Sequence, residues 1–322
     1  MRKLRVGVLR GGPSSEYEVS LKSGAHVLEH LPEDKYIPID IFISKSGEWH
    51  IGGVPISVSD VAVRTDLVWI ALHGTYGEDG KVQRILDQLG VPYTGSGALA
   101  SAIGMNKSLT KSWLEGCGVL MPKGECVMES DSAGDSAIRI SKVLPFPLIV
   151  KPASAGSSVG VHVVTEVSAL TDAIVIARKF STEVLVEEFI QGREATCCVV
   201  EGGGKQVCYA LYPTEILASE KNTFFDFEAK YNGQTQEICP GDFSIHQNQE
   251  IRRIATLVHR KLGLRHFSRS DFIVTPEKVY LLEVNTLPGL TPRSLLPQAL
   301  HVSGVEFSEF LHHVITRTLS PR

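Results

Sequence analysis

The segment Arg269-Ser-Asp271-Phe-Ile-Val-Thr-Pro276-Glu-Lys-Val-Tyr-Leu-Leu-Glu283-Val-Asn285-Thr-Leu-Pro-Gly289 gathers two carboxylates, an arginine and an amide along two short strands and a turn. Side chains alternate along a strand, so Arg269, Asp271 and Ile273 are expected on one face, and Leu281, Glu283 and Asn285 on one face of the partner. With Pro276-Glu277-Lys278 as the loop, Asp271 stands directly opposite Glu283; a shorter loop makes the two diagonal neighbours. The reverse face, Phe272, Val274, Tyr280, Leu282 and Val284, is almost wholly apolar and is expected to be buried. Opposed like charges repel, and half-buried carboxylates are costly without compensation. A divalent cation supplies that compensation, because a few hard oxygen ligands together with phosphates is the usual setting of magnesium. The plainer alternative is an ordinary sheet edge whose acids are neutralised by Arg269.

Other segments carry anion-binding chemistry. An expected strand ends at Lys151-Pro152 and opens into Gly156-Ser157-Ser158-Val159-Gly160, which offers backbone N–H groups, hydroxyls and an ammonium to a polyphosphate. Lys107 begins an expected helix, and Glu187 ends a strand followed by Ile190 and Glu194, acids and backbone suited to adenine and ribose. Each also has a plain reading as a turn, a surface charge or a solvated strand end.

The elements that must position these groups are legible from periodicity. Leu4 to Leu9 is a buried strand running into Gly11-Gly12-Pro13-Ser14-Ser15, with a helix from Glu18 to Leu31. Tyr36 to Ile43 and Asp66 to Leu72 are further strands, and Val82, Ile85, Leu86 and Leu89 mark an amphipathic helix. This alternation implies a parallel sheet covered by helices, ending near Gly104. A helix from Asn106, strands at Pro147 to Lys151, Val161 to Val164 and Glu183 to Glu188, and a helix at Val167 to Lys179 form a smaller mixed domain. Strands at Arg193 to Val200 and Gln206 to Tyr212 precede a long polar stretch, Pro213 to Pro240, which holds Lys230 and Tyr231. Loops of that length are functional or disordered, and the aromatics here favour function. A helix at His246 to Leu262, the acidic hairpin and helices at Thr291 to Leu300 and Val305 to Leu319 complete the chain.

With 322 residues, 43% of them hydrophobic, the chain has material for two or three packed domains. A net charge of -4 with no basic run gives no electrostatic support for a nucleic-acid or anionic-membrane partner. The apolar stretch near the N-terminus is too short for a signal peptide or membrane span, so a cytoplasmic location is the default expectation. The six cysteines form no CxxC pair and read as reduced thiols. Cys197 and Cys198 are expected on opposite faces of one strand.

The order of the motifs is more specific than any one of them. Gly11-Gly12-Pro-Ser-Ser-Glu16-Tyr-Glu18-Val-Ser20, His73-Gly-Thr-Tyr-Gly-Glu78-Asp-Gly80, Met105-Asn-Lys107, Val150-Lys151-Pro, the Gly156 to Gly160 loop, Phe227-Glu-Ala-Lys230-Tyr231, Arg269-Ser-Asp271-Phe and Glu283-Val-Asn285-Thr-Leu-Pro-Gly289 run from the first strand to the last helices. The set resembles the D-alanine:D-alanine ligases of the ATP-grasp superfamily. That resemblance implies a Rossmann-like N-terminal domain over residues 1–104, then a two-lobed ATP-grasp fold over residues 105–190 and 191–322. It implies that ATP activates one D-alanine as an acyl phosphate, which the amine of a second D-alanine attacks, in peptidoglycan precursor synthesis.

By the same resemblance, Glu16 holds the first ammonium with His73 nearby. Lys107, Lys151 and Lys230 meet phosphate oxygens, with Ser157 in the loop beside them, and Glu187, Ile190 and Glu194 recognise adenosine. Asp271, Glu283 and Asn285 carry two magnesium ions, for which manganese can substitute. Arg269 and the Gly289 N–H stabilise the tetrahedral oxyanion, and Ser294 with Leu295 binds the second carboxylate. Tyr231 links through Ser157 to Glu16 when the long loop closes, and its presence favours an amine over a hydroxyl nucleophile. A homodimer through the first domain is implied as well. Asn106, Ala155 and Leu290 depart from common family usage without removing a catalytic group. The competing expectations are another ATP-grasp carboxylate-amine ligase, such as one using D-serine, and a nucleotide-binding regulatory module without turnover.

Overall fold

The computed structural model describes residues 2–154, 156, 159–203, 208–217 and 236–320. In chain order the elements are β1 (Leu4–Gly11), α1 (Tyr17–His30), β2 (Tyr36–Ile43), β3 (Trp49–Ile51), β4 (Val54–Ile56), α2 (Ser59–Arg64), β5 (Leu67–Ile70), α3 (Lys81–Gln88), α4 (Ala98–Met105) and α5 (Lys107–Leu114). They continue with β6 (Gly124–Met128), α6 (Ala133–Ser141), β7 (Leu148–Pro152), β8 (His162–Val164), α7 (Val167–Ala177) and β9 (Glu183–Glu188). The last set is β10 (Arg193–Glu201), β11 (Cys208–Ala210), β12 (Thr214–Leu217), β13 (Gln236–Ile238), α8 (Ile245–Lys261), β14 (Phe267–Val274), β15 (Val279–Asn285), α9 (Leu295–Val302) and α10 (Phe307–Leu319).

The first sheet has the order β4-β3-β2-β1-β5, with β1 parallel to both β2 and β5 as expected. Its far edge departs from a purely parallel sheet: β2, β3 and β4 pair antiparallel. The cause is local. Gly52 and Gly53 both take positive φ, 60° and 78°, which suits the tight two-residue turn between β3 and β4. A second sheet, β6-β9-β7-β8, is wholly antiparallel. The third runs β13-β12-β10-β14-β15 with β11 beside β10. The long stretch expected as a loop therefore begins and ends as paired strands, β12 against β13.

Cys197 and Cys198 do face opposite ways: one joins the core around Phe272 and Leu281, the other the core around Trp69 and Phe267. That second core ties the chain's ends together. Trp69 of β5 stacks on Phe267 of β14, and Phe267 meets Phe310 of α10 edge-on. The two closing helices thus pack with the first sheet.

At this junction His266 is buried and accepts a hydrogen bond on Nδ1 from the Gly95 N–H, 3.0 Å away. Burial, with the nearby Arg317 guanidinium adding to it, holds its pKa down at about 4 despite Glu201. The unfolded chain takes up this proton more readily, so stability is full above about pH 6.5 and declines as pH falls toward 4. Urea titrations are expected to show a loss of about 2 kcal/mol on going from pH 7 to pH 4.5 through this group. In His266→Gln, which keeps an acceptor that does not titrate, that part of the slope should vanish.

Candidate active site

The acidic hairpin adopts the expected opposition by an unexpected route. Val274 pairs with Val279, leaving Thr275 to Lys278 as the turn, one residue longer than the loop read from the sequence. A bulge between Asp271 and Phe272 then resets the register, so that Asp271 faces Glu283 and Arg269 faces Asn285. The extra residue is Leu282, and it exchanges the faces beyond it. Leu281, expected beside the acids, is buried in the core with Phe272, Val274 and Val284. Leu282, expected in the core, lines a cavity with Ile273 and Glu283.

Two cavities of about 700 and 950 Å³ adjoin along Lys107, Glu194, Ile216, Asp271 and Glu283. The first also takes in Lys151, Glu187 and Ile190. The second takes in Glu16, His73, Arg269, Asn285, Gly289, Ser294 and Leu295. Every described candidate residue from the sequence thus lines one or both cavities. Ser157, Lys230 and Tyr231 lie outside the described residues. Gly156 stands against Glu16: a Cβ there would come within 2.8 Å of Glu16 Oε1, so the glycine loop begins at that carboxylate.

Three cation–carboxylate pairs line the two cavities. Arg269 forms a fork to Asp271, Nε to Oδ1 at 2.9 Å and Nη2 to Oδ2 at 2.8 Å, and Thr196 donates to Oδ1 at 2.6 Å. Burial disfavours the Arg269 charge, but the Asp271 carboxylate outweighs it and raises its pKa further. Lys107 Nζ lies 3.0 Å from Glu283 Oε2. Lys151 Nζ lies 2.6 Å from Glu187 Oε2, while Lys111 Nζ holds Oε1.

The last arrangement follows from the second sheet. Ile149 pairs with Glu187 and Lys151 with Leu185, so Lys151 and Glu187 are diagonal neighbours on one face. Gly124 lies opposite Glu187, where a Cβ would meet the Val186 carbonyl at 2.5 Å. Burial alone would raise the Glu187 pKa, and the two ammonium groups reverse this and lower it. Lys111 was missed in the sequence, although its i, i+4 spacing from Lys107 on α5 was a signal.

His73 is 3% exposed and both ring nitrogens are engaged: Nδ1 with the Leu287 carbonyl at 2.9 Å, Nε2 with Ser23 Oγ at 2.8 Å. Burial opposes its charge, but Glu78, 3.7 Å away, and then Glu16 more than offset this and raise its pKa. Glu78 is itself pushed up by burial. Ser294 is the N-cap of α9 and Leu295 its first residue, so the site meets a helix N-terminus suited to a carboxylate. Thr291 donates its N–H to Ser294 Oγ at 3.1 Å.

The donor set fits a magnesium ion. Asp271 and Glu283 are opposed, Asn285 follows on the same strand, and all three are hard oxygen donors. Each carboxylate has about four lone-pair sites, so the bonds from Arg269, Thr196 and Lys107 do not exhaust them.

The family model of the D-Ala-D-Ala ligase C-terminus matches residues 116–316, and that of the N-terminus matches residues 5–57 and 54–96. The chain belongs to the D-alanine–D-alanine ligase family. A D-alanine–D-alanine ligase from Geotalea uraniireducens is 38% identical over 319 residues, covering 98% of this chain and 96% of the relative. Among solved structures, the VanG D-Ala:D-Ser ligase from Enterococcus faecalis superposes with a TM-score of 0.89 at 31% identity, covering 99% of this chain and 100% of that one. The D-alanine–D-alanine ligase from Bacillus anthracis complexed with ATP has a TM-score of 0.80 at 29% identity, covering 98% and 97%. As a member of this family the chain is an ATP-dependent ligase with an ATP-grasp fold.

Proposed function

We propose that the chain joins two D-alanine molecules through a D-alanyl phosphate, consuming ATP and releasing ADP and phosphate, as a step in building peptidoglycan precursors. The observation that carries this reading is the seam between the cavities. A nucleotide-sized chamber opens at Lys107, Asp271 and Glu283 onto a second chamber lined by Glu16, Arg269 and Gly289. The γ-phosphoryl group can pass directly from one chamber to the other.

In this reading Glu16 holds the ammonium of the first D-alanine, and adenosine lies along Glu187, Ile190 and Glu194. Lys107 and Lys151 exchange their carboxylate partners for phosphate oxygens, with Lys230 joining them, as phosphoryl transfer requires. Asp271, Glu283 and Asn285 are the residues that would hold two magnesium ions, or manganese in their place. A metal held there would supply positive charge that offsets the phosphate oxygens and lowers repulsion against the incoming carboxylate. One carboxylate oxygen of the first D-alanine attacks the γ-phosphorus and ADP leaves. The amine of the second D-alanine, its carboxylate at Ser294 and Leu295, then adds to the carbonyl carbon. Arg269 and the Gly289 N–H meet the oxyanion, and the C–O bond to phosphate breaks as the amine's proton passes to the departing phosphate. Ser157, Tyr231 and Glu16 form the closing triad that keeps water from the acyl phosphate.

We also propose three domains, 1–104, 105–190 and 191–322, a cytoplasmic location and a homodimer through the first domain. Among the described residues no helix is long and apolar enough to cross a membrane. Light scattering on the purified chain tests the dimer.

The similarity to a D-Ala:D-Ser ligase gives one competing reading, in which D-serine is the second substrate. Phosphate release with D-alanine alone, and with D-alanine plus D-serine or D-lactate, distinguishes these; D-alanine alone is expected to suffice. ATP binding without phosphate release under any of these conditions would instead support a regulatory module. Chelation with EDTA should abolish turnover, and added magnesium or manganese should restore it. Activity that persists in EDTA contradicts the metal assignment.

A further inference from the structure

The loop Leu287-Pro288-Gly289-Leu290 is held almost entirely by other parts of the chain. The Leu287 N–H donates to Asn285 Oδ1 at 2.8 Å, and the Leu287 carbonyl accepts from His73. The Leu290 N–H donates to Ser23 Oγ at 3.1 Å, and the Leu290 carbonyl accepts from His26 Nδ1 at 2.7 Å. Pro288 has no N–H. Among the described residues the Gly289 N–H is the one donor of this loop with no acceptor, and Gly289 lines the second cavity.

Ser23 and His26 belong to α1, the helix that begins directly after Glu16. Positions 16, 19, 23 and 26 recur at helical spacing and share one face. Glu16 and Val19 line the second cavity, and Ser23 and His26 grip the loop beyond it. One rigid element therefore carries the carboxylate read as the ammonium site and the clamps on the loop that bears the free N–H. The His26 ring is also stacked on Phe307 of α10, centroids 4.3 Å apart, which fixes its plane.

We propose that Ser23 and His26 are positioning residues for the ligation step: through the Leu290 backbone they aim the Gly289 N–H at the oxyanion. This rests on the role given to Gly289 above. A merely structural clamp would hold α1 to the closing helices and leave the transition state untouched.

The test measures kcat, KM for ATP, and the affinity of a phosphinate analogue of the D-alanyl-D-alanine transition state, on the full-length chain. His26→Phe keeps the stack on Phe307 and removes the donor; its kcat should fall about tenfold, since small misplacements near reacting atoms cost up to about a hundredfold. Phosphinate affinity should fall in proportion, with KM for ATP within about twofold of wild type. His26→Asn, which places an amide N–H near the Nδ1 position, should recover most of the loss. Ser23→Ala should give a larger kcat loss of the same kind. Where Ser23→Ala does not fold, the His26 pair decides alone. Unchanged kcat in His26→Phe, or a loss that falls equally on ATP affinity, overturns the proposal. A wild-type chain that forms no dipeptide overturns the ligase reading itself, and this inference with it.

Discussion

Arg269→Ala is expected to lower kcat by about a hundred- to a thousandfold, the usual cost of removing one oxyanion donor, while KM for ATP changes far less. The charge that Arg269 meets develops only as the amine adds, so its loss falls on the transition state. The structure adds a second consequence. Arg269 is also the forked partner of Asp271, which is 8% exposed. Removing one partner of such a pair strands a charge, at roughly 3 to 5 kcal/mol, so the melting temperature should fall as well. Arg269→Lys separates the two effects. It keeps the charge beside Asp271 and loses the planar fork, so most of the stability should return while kcat stays low. Equal losses in kcat and ATP affinity in Arg269→Ala would contradict the assigned role.

Asp271→Asn is expected to give a different signature, raising KM for magnesium-ATP and lowering kcat together, by on the order of a thousandfold in kcat/KM, because the charge stabilisation a metal would supply there is worth several kcal/mol. The amide oxygen still accepts from Arg269 Nε and Thr196, but its NH2 faces Arg269 Nη2 and the buried guanidinium loses its counter-charge, so the melting temperature should fall here as well. A magnesium titration is the informative readout: the half-saturating concentration should rise. If it does not move and only stability changes, the hairpin is an ion-paired sheet edge, as the plainer reading of the sequence had it.

Most of the site was legible in the sequence because its groups sit at strand and helix ends marked by glycine, proline or a change of period. Lys107 does begin a helix, Lys151 does close a strand ahead of the glycine loop, and Glu187 lies near the end of the strand expected at 183–188. The hairpin's opposition of Asp271 and Glu283 was readable too, but its faces were not. A bulge breaks the parity on which alternation depends, and the adjacent leucines 281 and 282 give no sign of which one is extra. The β3–β4 hairpin was overlooked although Gly52-Gly53 marks its turn. Helix α4, Ala-Leu-Ala-Ser-Ala-Ile-Gly-Met, has no charged residue to give it an amphipathic stripe, and Asn106 after it caps the next helix through a bond to the Leu109 N–H.

Contacts distant in the chain left no trace at all. Ser23 and His26 reach Leu290 across more than 260 residues, and no spacing rule links them. His73 shows the same limit. The resemblance set it near the first substrate, and it does line that cavity, but both its nitrogens are committed to the chain itself.

Oxygen transfer from substrate to phosphate tests the acyl-phosphate chemistry most directly. D-Alanine labelled with ¹⁸O in its carboxylate is incubated with ATP, magnesium and the purified chain, and the released phosphate is examined by mass spectrometry. One labelled oxygen should appear in phosphate for each D-alanyl-D-alanine formed, with ADP as the only nucleotide product. Dipeptide formed with unlabelled phosphate, or with AMP and pyrophosphate, would contradict it.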